Sequence, residues 1–155
     1  MRGGGSAPRD PIHPSTSWPI IYIFPSLQYA NVVKTQGQLE AEIADAMTRF
    51  EKDFMGRGPT ETRAYLLQDM VLVRLRGVLT PAEQRLISTD SAGEGRRLVK
   101  RMRTELLENA GDMLYAVIAA ITGRSVISMH TDISTNTGER VILFMLDAPP
   151  EYEAR

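Results

Sequence analysis

Residues 95–122 read GRRLVKRMRTELLENAGDMLYAVIAAIT, and residues 124–147 read RSVISMHTDISTNTGERVILFMLD. In the first stretch Leu98, Met102, Leu106, Ala110, Met113, Leu114, Val117, Ile118 and Ile121 recur at helical spacing, which marks a core-facing stripe. One long helix over 94–122 is expected, stopped by Gly123, with Asn109 and Gly111 placed to bend it near its middle. From Met113 to Ile121 the helix is apolar nearly all round, so this half belongs deep against a sheet or in an oligomer interface. The second stretch changes to a period of two around the turn Thr135-Asn136-Thr137-Gly138 and reads as a hairpin. Ile127, Met129 and Ile133 share one face, and Ser128, His130 and Asp132 the other. Val141 to Leu146 is apolar on both faces, as in a central strand or one covered by a partner.

Working outward, Thr35 and Gln38 form a capping box ahead of an apolar stripe, Leu39, Ile43, Met47, Phe50 and Phe54. This helix ends near Met55, where Gly56 supplies the left-handed stop. Gly56-Arg57-Gly58-Pro59 is a poor match to phosphate loops and reads as a sharp turn into strands at Arg63–Leu67 and Met70–Arg76. In the second of these, Val71, Val73 and Leu75 share one face and Leu72, Arg74 and Arg76 the other. Thr80-Pro81-Ala82-Glu83 is a second capping box with proline at the first helical position, and it opens a short helix to about Ile87.

The composition narrows the function classes. A chain of 155 residues with 43% apolar content fits one domain with a real core. A formal net charge of -1 gives no global field for nucleic acid or anionic lipid. The absence of cysteine excludes disulfides, thiolate metal sites and cysteine nucleophiles. No apolar run approaches the ~20 residues of a membrane span. Residues 1–34 differ from the rest: they hold Gly3 to Gly5 and five of the nine prolines, Pro8, Pro11, Pro14, Pro19 and Pro25. The segment reads as a disordered tail or a misassigned start, with Val32 or Val33 as alternative initiation points; its apolar centre is too short for a secretory signal.

Two features bear on function. Arg96, Arg97, Lys100, Arg101 and Arg103 crowd the start of the long helix, where positive charge opposes the helix dipole. Local stability does not dictate that placement; an anionic ligand, an acidic partner surface or lipid phosphate would explain it, and a solvated face offset by Glu94 and Glu105 would also serve. Arg57, the strand pair Arg74 and Arg76, and Arg140 join Arg96, Arg97, Lys100 and Arg101 in this partner- or anion-binding set, with His130 and Asp132. Ser128, His130 and Asp132 superficially suggest a hydrolase. However, residues two apart on a strand stand side by side, about 7 Å apart, instead of converging as a relay. No GxSxG elbow accompanies them, and His13 is the one other histidine, so neither catalysis nor metal binding is expected. No cofactor is expected.

Several ordered stretches resemble one family: Gly37-Gln38-Leu39-Glu40, Phe54-Met55-Gly56-Arg57-Gly58-Pro59, Asp69-Met70-Val71, Arg74 through Glu83, His130 through Thr135, and Thr137 through Val141. Together they resemble the MpsC-like family, small bacterial domains named for a proposed sodium-translocating, membrane-potential-generating system. The resemblance spans about 35–147, leaving 148–155 as a tail. It implies a cytoplasmic, non-enzymatic accessory protein, peripheral to the membrane through a transport subunit that moves ions or inorganic carbon. The expected fold is α+β: a four-stranded antiparallel sheet from two hairpins, packed by two main helices and one short helix, in the order α-β-β-α-α-β-β. A homodimer is expected to bury the uncovered sheet face carrying Leu72, Ile142, Phe144 or their opposites. The rival reading is a small RNA-binding module using Gly56-Arg57-Gly58 as a backbone clamp, disfavoured by the charge and by the lack of an aromatic platform.

Overall fold

A computed structural model describes residues 33–153. Helix α1 (Gln36–Phe54) leads into strands β1 (Glu61–Leu67) and β2 (Met70–Arg76). Helices α2 (Pro81–Ser88), α3 (Glu94–Asn109) and α4 (Gly111–Thr122) follow, and strands β3 (Val126–Ser134) and β4 (Glu139–Leu146) complete the fold. The expected extension over 1–34 lies almost wholly outside the described residues.

Both hairpins join one antiparallel sheet in the order β1-β2-β4-β3. The strand that is apolar on both faces, β4, is central, as its sequence requires. Its register against β2 sets Val71 beside Phe144 and Val73 beside Ile142, all fully buried on the inner face. Helix α1 packs Leu39, Ile43, Met47 and Phe50 on that face, and α4 adds Leu114, Val117 and Ile118. Both capping boxes form, Thr35 with Gln38 and Thr80 with Glu83. Gly56 and Gly123 take the left-handed backbone that ends a helix.

Four expectations are corrected. The long helix is divided at Ala110, which has φ -91 and ψ 4, giving α3 and α4. The apolar stripe of the first half faces outward: Leu98 is 58% exposed, Met102 40% and Leu106 43%. The buried face of α3 is Gly95, Val99, Arg103 and Leu107. Phe54 is also exposed, stacked on Phe50 with ring centroids 5.1 Å apart. In β3 a bulge between Val126 and Ser128 turns Ile127 into solvent, while Met129 and Ile133 remain inward.

Candidate docking surfaces

The buried face of α3 is fixed by a cluster of charges inside the fold. Arg103 and Arg140 are each 1% exposed and Glu51 is fully buried. Arg103 donates through Nε to Glu83 Oε1 at 2.7 Å, through Nη1 to Glu51 Oε2 at 3.3 Å, and through Nη2 to the Val78 carbonyl at 2.6 Å. Arg140 donates through Nη1 to Glu51 Oε1 at 2.8 Å and through Nη2 to the Arg103 carbonyl at 2.6 Å. Two guanidiniums thus meet two carboxylates, and the cluster ties α1, α2, α3 and β4 together. Burial pulls the Arg140 guanidinium down from its ordinary value, opposed by Glu51. Burial pushes the Glu83 carboxyl up, but Arg103 and the Thr80 cap outweigh it and hold it below the usual range.

Arg140 therefore cannot meet a surface ligand. Its register opposite Leu75 and Ile133 puts it on the inner face, where the sequence pattern had counted it with the surface arginines. Glu51, Glu83 and Arg103 are the partners that sequence reasoning missed as a cluster. A signal existed for Glu51, four residues after Met47 on the apolar stripe of α1.

Among the described residues the outer face of the sheet carries no helix. Its middle is apolar: Tyr65, Leu67, Met70, Leu72, Val141, Leu143 and Met145 come together across β1, β2 and β4. One end is charged. Arg74 Nη2 lies 2.6 Å from Glu139 Oε2, and Arg76 bridges Glu139 and Glu61 at 3.4 and 3.1 Å. Arg63 pairs with Glu61 at 2.7 Å. Hydrogen bonds from these arginines hold the Glu139 and Glu61 carboxyls below their usual range. Three arginines against two glutamates leave this end with one net positive charge. His130 and Asp132 stand on the β3 side of the same face. The His130 ring lies 3.4 Å from Ser128 Oγ, and Asp132 pairs with Lys100 of α3 at 2.9 Å instead of with the histidine. That hydrogen bond from Lys100 lowers the Asp132 carboxyl.

The structure thus gathers Arg74, Arg76, His130, Asp132 and Lys100 around one face, and it leaves the other members of the set elsewhere. Arg57 is half-buried in the α1–β1 connection. Arg96 and Arg97 are exposed on the first turn of α3, and Arg101 pairs with Glu105 one turn on. The start of α3 already has its anion: Asp90 accepts from the backbone N–H groups of Arg96 and Ala92. Partial burial raises the Asp90 carboxyl, but these donors and those of Glu94 and Gly95 bring it below its usual range.

Fold and surfaces together define a small α+β domain locked by an internal ion cluster, with an uncovered apolar sheet face. Comparison with known proteins gives the family. A family model described as "Na+-translocating membrane potential-generating system (MpsC)" matches residues 35–148, and the chain belongs to that family. The chain is 42% identical over 113 residues to the uncharacterized protein YbcI of Bacillus subtilis (strain 168), covering 73% of this chain and 89% of YbcI. It is 25% identical over 111 residues to the uncharacterized protein YrhF of the same strain, covering 68% of this chain and 85% of YrhF. No solved structure matches. No helix among the described residues is long and apolar enough to cross a membrane.

Proposed function

We propose that this protein is a cytoplasmic accessory component of a membrane system that moves sodium or inorganic carbon, acting by binding a partner subunit. The family description supports a sodium system and does not mention inorganic carbon. The uncovered sheet face supports the mode of action: an apolar centre about three strands wide is bounded by an arginine–glutamate end with one excess positive charge. Such a surface suits a partner patch with an apolar middle and an acidic border. Rim charges chiefly set the association rate and orientation, and the desolvated apolar centre supplies affinity.

The test is co-purification with the subunits of a sodium- or inorganic-carbon-moving membrane system of the host, produced together and solubilised. Wild-type protein is retained. Leu143→Asp places a charge at the centre of the face and abolishes retention, and Arg74→Glu slows association. Transport subunits that never co-purify with wild-type protein overturn the reading.

A further inference from the structure

We propose that α3 is a homodimerisation helix, which packs antiparallel on α3 of a second copy and leaves the sheet face free for the partner subunit. Three observations converge on it. The first is the outward stripe of Leu98, Met102 and Leu106, spaced by one turn on a helix already anchored by the adjacent face of Val99, Arg103 and Leu107. With Arg101, Glu105 and Asn109 these residues line a shallow depression of about 350 Å³. Among the described residues nothing covers it, although the rest of the helix surface is strongly polar.

The second is the order of charge along the exposed helix. Arg96, Arg97, Lys100 and Arg101 outnumber Glu94 in the first half, and Glu105 and Glu108 lie in the second. That is the wrong order for the helix's own dipole. It suits a reversed second copy, because Arg101, on the flank of the stripe, then lies beside the other copy's Glu105, while Arg96, Arg97 and Glu108 stay on the solvent side.

The third is register. In an antiparallel pair the same flank of each helix meets its own counterpart, and Arg101 and Glu105 share one flank. With a two-fold axis at Met102, the middle of the stripe, Leu98 faces Leu106 of the other copy. At 1.5 Å of rise per residue, Arg101 then lies within about 3 Å, along the axis, of the other copy's Glu105. The pair now closed within one helix, Arg101 to Glu105 at 2.8 Å, is exchanged for two across the interface. A helix of this length makes a contact at the small end of specific interfaces, so association on the order of micromolar is expected.

Sedimentation or light scattering over a concentration series tests the idea. Wild-type protein moves from monomer to dimer. Met102→Asp weakens the dimer at least roughly tenfold, with unchanged circular dichroism and, at a concentration where both proteins are monomeric, unchanged melting, since Met102 is 40% exposed in the single chain. Arg101→Glu also disrupts the dimer, and the exchanged double variant R101E/E105R restores it. The chain has no cysteine, so a single introduced thiol is informative. Met102→Cys forms an oxidised covalent dimer across the axis, whereas Leu72→Cys on the sheet face does not. A protein that stays monomeric at every concentration overturns the proposal. So does a dimer that survives Met102→Asp or cross-links through Leu72→Cys.

Discussion

Gly95 decides which way α3 faces. A Cβ built there meets the Leu86 carbonyl oxygen at 2.7 Å, so α2 and α3 approach through a gap only glycine leaves. With Gly95 inward, Val99, Arg103 and Leu107 follow it inward at one-turn intervals. The obstruction is backbone, which cannot rotate away. Gly95→Ala is therefore expected to destabilise by about 1–3 kcal/mol, as overpacking does, seen as a lower urea midpoint. Arg103 is tolerated inside because Glu51 and Glu83 wait for it. Removing the shared counter-charge with Glu51→Gln leaves two buried guanidiniums short of a partner. Urea unfolding of that variant should show a loss of about 3–5 kcal/mol. The half-exposed Lys34–Glu42 pair is the control: Glu42→Gln should change stability by less than about 1 kcal/mol.

At the scale of elements, α3 carries two competing stripes, and only one looks apolar. Leu98-Met102-Leu106 is the obvious core in the sequence, while Gly95-Val99-Arg103-Leu107 is interrupted by an arginine. The charges that make Arg103 buriable come from α1 and α2, 52 and 20 residues away in sequence, so no local window contains the information. Elements whose signals are local were legible: both capping boxes, the proline at the start of α2, the glycine stops and the apolar character of central β4. The candidate surface was half legible. Alternation placed Arg74 and Arg76 on an outer face correctly, but one step of register put Arg140 inside. The Asp90 cap at the start of α3 arises from a loop conformation that residue types alone do not specify. Truncation separates the two stripes. Leu107→Ala should cost about 2–5 kcal/mol, and Leu98→Ala, measured at a concentration where the chain is monomeric, should stay within about 0.5 kcal/mol. Equal losses in the two variants would mean that α3 is rotated from the orientation described.

For the molecule as a whole, the carboxylates set the acid limit of stability. Glu61, Glu83, Asp90, Asp132 and Glu139 are all held below their ordinary values, 4.5 for the glutamates and 3.8 for the aspartates. A group depressed in the folded state binds fewer protons there than in the unfolded chain, so stability rises with pH through that interval. The contribution is complete above the ordinary carboxylate range and is lost as pH falls through the lowered values. Stability should be level from about pH 6 to 8 and decline below about 4.5. The five groups differ in exposure, and salt separates them. At 1 M salt the screening length is about 3 Å, which weakens the surface pairs of Glu61, Asp132 and Glu139. Glu83 meets Arg103 inside the fold, where mobile ions do not reach. Thermal melts at 1 M salt should therefore keep a steeper acid decline in wild-type protein than in Glu83→Gln, whose plateau is lower and whose slope is shallower. Coincident acid limbs under those conditions would remove Glu83 from the set of groups that carry the pH dependence and return it to the surface pairs.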